Sequence, residues 1–449
     1  AMTAASSPVD DRAFALTNAT VLTMRDPACL PGHTLVVRDG RIDVIAPGAE
    51  YPLPPGIRSV DAHGWYLLPG LTDMHVHLLP VDEANADETA DEAQALRRGA
   101  DFLRIFLAHG ITTVRNMAGT PFHLRLRAAV RCGDIAGPRI HTAGPILESR
   151  FTFPQLAQFG RLVPTADAAR AAVLEQHAAG YDCIKVYNDL DEEVYDAIVA
   201  AARECGMPVV GHVAYSKTLE GALDARQDSI EHFRAYDVAL DTRPQAPTER
   251  FAGWLYTDPA RMREVAERTA EAGTWNVPTL IVERAIAGVT ADATLPPWLP
   301  SWLAHALVTD DTRDFVPARY VALIGASLDR RLELVAAMDR AGARLLAGSD
   351  CPGCALVPGR SLHQELALFV EAGFSPLRAL RSATVDAATF LGRSHELGAL
   401  APGMLADIVA LGSDPSVSID ALADVRGVVA AGRWHPIDAL TGHSAAADG

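Results

Sequence analysis

Residues 70–78 read GLTDMHVHL, directly after Pro69 and an apolar run. If this stretch is a strand, alternate residues share a face, so His75 and His77 project together from its C-terminal end. A His-x-His pair alone is more often coincidence than a metal site. What the rest of the chain places at the same level decides between the two.

Working outward, the chain has three textures. Residues 14–68 read as short strands separated by Gly, Pro and Asp-Gly turns, and "LGALAPGMLADIVAL" (397–411) and "VRGVVAAGRW" (425–434) read the same way. Between them, short apolar strands alternate with Ala-rich amphipathic helices, the signature of a parallel sheet. Eight strands are predicted, at 71–77, 111–116, 139–144, 183–187, 208–213, 228–233, 276–281 and 344–350. Eight βα units predict an α/β fold, a (β/α)8 TIM barrel over residues 69–395. Segments 234–262 and 282–325 exceed ordinary loops and are expected to be lids or extra helices. Trp298 and Trp302 in "LPPWLPSWL" either wall a pocket or pack that loop down.

Composition narrows the function. The 449 residues carry a formal net charge of −17, with 49% hydrophobic and 21% charged residues. A large core is affordable and disorder is disfavoured. An acidic chain lacks the basic surface that nucleic acid or an anionic membrane requires, so the expected partner is a small-molecule substrate. No apolar run reaches the length of a membrane span. The first residues show no basic n-region or apolar h-region, so no signal peptide is expected. Ala1-Met2 reads as a cloning remnant and the "GHSAAADG" end as disordered. Six scattered cysteines do not make a disulfide framework, which points to a cytoplasmic protein.

The other predicted strands answer the opening question. Lys185 lies in "CIKVY", His212 closes "VVGH", His232 closes "SIEH" and Asp350 closes "LLAGSD". With His75 and His77 they make six polar residues on five strands, at the end where barrel active sites are built. A lysine inside an apolar strand is costly to bury unless paired or chemically changed.

This pattern resembles the metal-dependent amidohydrolase superfamily, in the imidazolonepropionase-like branch that includes prolidase-like dipeptidases and ochratoxin-type amidases. The carriers are "PGLTDMHVHL", "GITTVRN", "GPRIHTAG", "IKVY", "GHV", "SIEH", "VPTL", "LLAGSD" and the segment from "LHQELALFVEAGF" to "LADIVAL". The resemblance runs from about residue 14 to 435. It implies a small β-sandwich domain built from both chain ends (1–68 and 396–449) beside the barrel. It also implies two divalent metal ions, with zinc the expected metal. His75, His77 and Asp350 would hold the first and His212 and His232 the second. Lys185 would bridge them as a carbamate formed with CO2; the alternative is an ordinary lysine salt-bridged to Asp350. Asp350 would be the catalytic acid–base, with His232 and Tyr215 beside it. Relatives are often homo-oligomers, so one is expected here. Where related sequences often carry "TVRD", this chain has Asn116.

Other readings stay open. Tyr215 and Arg234 either bind the substrate, gripping a carboxylate or an oxyanion, or make loop contacts. His141 faces the pocket or packs behind the barrel. His363 is expected at the start of a late helix. Cys351 and Cys354 form one C-x-x-C, too little for a structural zinc. The expected reaction is hydrolysis of a C–N bond in an N-acyl amino acid, dipeptide or aryl amide. Carbamate, urea, ester or lactone hydrolysis on the same site is an alternative. A mononuclear deaminase or imidazolone-type ring hydrolase is another, although such enzymes typically lack the fourth-strand lysine.

Overall fold

The computed structural model describes residues 13–26, 28–48, 51–78, 92–152, 157–244, 251–289, 294–309 and 316–442. The expectations for Ala1-Met2, the leader and all of the C-terminal tail beyond Gly442 fall outside the described residues.

All eight predicted strands are present, and all are parallel to their neighbours. Leu71–Val76, Ile111–Asn116 and Arg139–Thr142 form a three-stranded sheet. A seven-stranded sheet runs Gly160–Leu162, Ile146–Glu148, Ile184–Val186, Val209–Gly211, Ser229–Glu231, Trp275–Val277 and Arg344–Leu345. The first two of its strands were not foreseen. Hydrogen bonds join both edges of the smaller sheet to the larger. On one side Asp182 N donates to Thr142 O (2.9 Å) beside the Ala143–Cys183 bridge. On the other, Met74 N donates to Ala347 O (3.0 Å) and His77 N to Cys351 O (2.8 Å).

The strands are apolar because both faces are covered, as parallel sheets require. Leu71–Val76, Ile111–Asn116 and Val209–Gly211 are buried throughout. Helices separate them, with local start and stop signals. Ala166–Ala179 begins at Thr165, whose hydroxyl accepts from Ala168 N, and ends at Gly180 with φ +86°. That left-handed cap turns the chain into the next strand at little cost for a glycine. Pro259–Ala272 begins after Asp258, which caps Arg261 N.

The chain ends meet in a separate eight-stranded sheet, where Tyr66–Pro69 pairs antiparallel with Ile408–Leu411. Leu16, Val21, Leu35, Leu67, Ile408 and Val429 pack together in its core.

The two long segments hold extra helices, including Tyr236–Leu240, Ser301–Val308 and the long Ala318–Ala341. Trp298 and Trp302 pack their loop down: Trp298 lies 5.8 Å from the His109 ring and Trp302 6.5 Å from Phe102. Among the described residues no helix is long and apolar enough to cross a membrane.

Candidate metal centre

The six residues singled out in the sequence leave the strands from the same ends, and five lie close together. Ring centroids of His75 and His77 are 5.4 Å apart, His75 and His232 4.6 Å, and His212 and His232 5.0 Å. The Asp350 Oδ1 atom lies 2.9 Å from His77 Nε2 and 3.2 Å from His75 Nε2. Ligand atoms of His75, His77 and Asp350 all fall within 4.8 Å of one another.

The tautomers carry the argument. His75 Nδ1 meets Glu231 Oε2 at 2.7 Å, and a carboxylate only accepts, so Nδ1 holds the proton. His212 Nδ1 donates to Asn188 Oδ1 at 2.8 Å. His232 Nδ1 donates to Thr279 Oγ1 at 2.6 Å, because the Thr279 hydroxyl gives its own proton to Pro278 O. In all three the Nε2 lone pair is left free, the arrangement in which a histidine binds metal while an outer partner orients it. His75 Nε2 is buried without a hydrogen bond although it sits 3.2 Å from Asp350 Oδ1. An unprotonated nitrogen facing a carboxylate oxygen is lone pair against lone pair, and a cation between them resolves it.

Charge states agree. Burial holds the His212 and His232 rings well below the usual histidine range, so both are neutral.

Lys185 is buried in Ile184–Val186, and burial pulls its ammonium down to about 8 against the raising pull of Glu231 and Asp350. The expected alternative, a salt bridge to Asp350, is absent: among the described residues no carboxylate lies within 4.0 Å of its amine. Gly211 makes room for it. A Cβ there would sit 2.1 Å from Val186 O and 2.9 Å from Lys185 Cδ, on a backbone with φ +127°.

The backbone is strained where the ligands emerge. His232, Thr279 and Asp350 have φ of +58°, +49° and +57°. Non-glycine residues in this region cost on the order of 1–3 kcal/mol each and persist where the surroundings over-determine them.

The sequence reading missed the layer behind the ligands. Glu231 takes Arg115 Nη2 at 2.8 Å and the Ser229 hydroxyl at 2.5 Å, and Arg115 Nε donates to Met74 O at 2.6 Å. Glu148 accepts from Asn188 N (3.0 Å) and Asp189 N (2.7 Å), fixing the turn that carries the His212 partner. Asp73 accepts from His75 N (3.2 Å) and the Ser349 hydroxyl (2.6 Å). Their signal was polar letters at alternate strand positions: Asp73 before His75, Glu231 after Ser229, Arg115 after Thr113.

The remaining residues separate. Tyr215 and Arg234 line a cavity beside His232. Asn116 is structural: its Oδ1 accepts from Leu78 N and its Nδ2 donates to Thr142 Oγ1. His141, in the strand Arg139–Thr142, has Asp182, Arg393, Arg127 and Arg139 as its charged neighbours. His363 Nε2 donates to His109 O at 2.8 Å, away from the ligands. Among the described residues Cys351 and Cys354 form no disulfide.

The model of the amidohydrolase family matches residues 66–435, and the chain belongs to that family. The adenine deaminase of Ruegeria sp. (strain TM1040) is 23% identical over 382 residues, 85% of this chain and 51% of the relative. The chain thus spans about half the length of the first curated relatives it matches. An imidazolonepropionase of Aeromonas hydrophila is 24% identical over 407 residues, 87% of this chain and 89% of that protein. A solved Xaa-Pro dipeptidase with methionine in its active site matches with TM-score 0.69 at 21% identity, over 94% of this chain and 100% of that one. That likeness shows a shared fold.

Proposed function

We propose that the chain is a binuclear-metal hydrolase cleaving a C–N bond in a small N-acyl amino acid, dipeptide or aryl amide. The observation that carries this is the set of free Nε2 lone pairs, with His75 Nε2 buried and unpartnered against Asp350. His75, His77 and Asp350 would hold one divalent cation, most simply zinc, and His212 and His232 the second. Lys185, as a carbamate, would supply an anionic ligand to both. Its neutral amine attacks CO2, an N–C bond forms, one amine proton leaves to solvent, and the product is an anionic carbamate. A buried amine held down near 8 and free of ion pairs supports that step.

Cations so bound acidify water and polarise a carbonyl. The protein's own part is to move the proton. Asp350 takes it from the attacking water at Oδ2, the oxygen on the His232 side, and delivers it to the leaving nitrogen. His232, held by Thr279, lies beside that oxygen, 3.9 Å from its Nδ1. Tyr215 and Arg234 face the adjoining cavity and orient the substrate.

The same reading includes a (β/α)8 barrel over 69–395, supported by the hydrogen bonds joining both edges of the smaller parallel sheet to the larger. A composite β-sandwich domain would comprise the described parts of 1–68 and 396–449, supported by the pairing of Tyr66–Pro69 with Ile408–Leu411.

One observation favours a second reading, a mononuclear deaminase or ring hydrolase. Among the described residues, only His75, His77 and Asp350 bring three ligand atoms within 4.8 Å of one another. Metal content by elemental analysis, with intact mass under non-denaturing conditions, decides. Two metals per chain and one added CO2 support the binuclear hydrolase; one metal and an unmodified Lys185 favour the second reading.

A further inference from the structure

Tyr187 stands two residues beyond Lys185, just past the strand Ile184–Val186, and is half-buried. Its ring stacks on His212, with centroids 3.9 Å apart and planes 27° from parallel. The next residue, Asn188, takes the His212 Nδ1 proton at 2.8 Å. Two consecutive residues thus grip one imidazole, Tyr187 by its face and Asn188 by its edge. The His232 ring lies 5.0 Å from it at 87°. A ring held by face and edge together keeps one orientation and one tautomer.

The grip is itself anchored. Asn188 N and Asp189 N donate to Glu148 at 3.0 and 2.7 Å. Asn188 O accepts from Tyr215 N at 2.8 Å, and Val186 O from His212 N at 3.1 Å. The turn carrying Tyr187 is therefore tied to backbone on both sides. Its hydroxyl makes no hydrogen bond among the described residues, so what the protein uses there is the ring.

A tyrosine face is electron-rich. An imidazole that gives its Nε2 lone pair to a cation becomes electron-poor, so the stack is stronger in the metal-bound state than in the empty one. A contact that favours the bound state appears as affinity. The same ring stands 5.9 Å from Lys185 Nζ, and Lys185 and His212 are each 1% exposed, so one side chain borders both groups.

We propose that Tyr187 is a positioning residue for His212, its ring fixing the imidazole with Nε2 aimed at the second cation and stacking more strongly once that cation is bound. The inference rests on the binuclear reading and deepens it.

Two variants separate the ring from the hydroxyl. Zinc is titrated into the metal-free full chain of the wild type, Tyr187→Phe and Tyr187→Leu, and the bound metal is counted by elemental analysis. Tyr187→Phe keeps the stack and should hold both ions as the wild type does. Tyr187→Leu should weaken the second ion about two- to tenfold, the scale of an aromatic pair, and leave the first unchanged. Equal affinity for the second ion in Tyr187→Leu and the wild type overturns the proposal. So does equal weakening of both ions, which marks a general loss of structure, or an equal loss in Tyr187→Phe, which places the effect on the hydroxyl. Failure of the binuclear reading shows separately, as a single zinc in the wild type. The positioning role is then judged in the metal-free protein, from the ring-nitrogen shifts of histidine-labelled samples. Tyr187→Phe should keep His212 as the Nδ1–H tautomer and Tyr187→Leu should mix the two; an unmixed tautomer in Tyr187→Leu overturns it.

Discussion

Arg115→Met tests whether the buried layer behind His75 is as tightly coupled as its geometry implies. The wild-type guanidinium gives Nη2 to Glu231 Oε1, Nε to Met74 O and Nη1 to Ser229 Oγ, at 2.8, 2.6 and 3.1 Å. Neither member of the ion pair is accessible to water. Burial alone would raise the Glu231 carboxyl, but Arg115 and His75 hold it well below the carboxylate range. Methionine keeps most of the volume and removes every donor, leaving a buried charge uncompensated. That costs about 3–5 kcal/mol. At about 2.1 cal/mol/K per residue, a chain of 449 residues unfolding as one unit loses about 1 °C per kcal/mol, so Tm should fall by about 3–5 °C. The same carboxylate orients His75 through Nδ1, so metal affinity should drop about 10–100-fold, the usual effect of losing an outer partner. Adding Glu231→Gln removes the stranded charge, and the double variant should be more stable than additivity predicts by about 2 kcal/mol. Calorimetric melting and metal titration of the four proteins give all of these values. A single-variant shift under about 1 °C, or strict additivity in the double, refutes the reasoning.

Four further outcomes are expected. Chelator treatment should lower Tm and a divalent cation restore it, by about 2.7 kcal/mol at a hundredfold excess over Kd; an unchanged melting curve would remove the case for metal. Lys185→Met should abolish turnover and the CO2 mass increment without lowering the metal-free Tm, because the amine makes no ion pair among the described residues; a retained increment would locate the carbamate elsewhere. His123 accepts Thr120 N at Nδ1 and donates from Nε2 to Leu78 O, and burial lowers it from 6.5 to about 4. A depressed folded pKa gives stability that is present above 6.5 and lost as pH falls towards 4, about 3 kcal/mol from this residue, so His123→Gln should flatten the stability curve in that window. Glu148→Ala releases the turn that holds Asn188 against His212, so after dialysis the second metal should be lost more readily than the first, as read by stoichiometry.

What was legible in the sequence follows from how local each signal is. Alternation within one strand is local, so His75 near the end of Leu71–Val76 and His77 just beyond it could be read from a few letters as candidate ligands on one face. The family resemblance supplied their grouping into two sets, which no spacing encodes. The supporting layer was half visible. Arg115 and Glu231 each interrupt a short apolar strand, which marks them as buried charges needing partners. Yet they are 116 residues apart, and only the juxtaposition of Ile111–Asn116 with Ser229–Glu231 pairs them. The cavity was less legible still. Of the two readings open for the tryptophans the loop-packing one holds, Trp302 lying against Phe102 and Trp298 against His109, while the cavity's polar groups come from the turns after two strands and from the distant helix Ala318–Ala341. Arg331 lies in that helix with nothing in its local pattern to set it apart from Arg330, which pairs with Glu333 at the surface. A helical arginine declares itself only when its neighbours in space are known. The candidate ligands, carried on strand ends, were therefore readable from this chain, whereas the cavity groups supplied by helices packed over them were not.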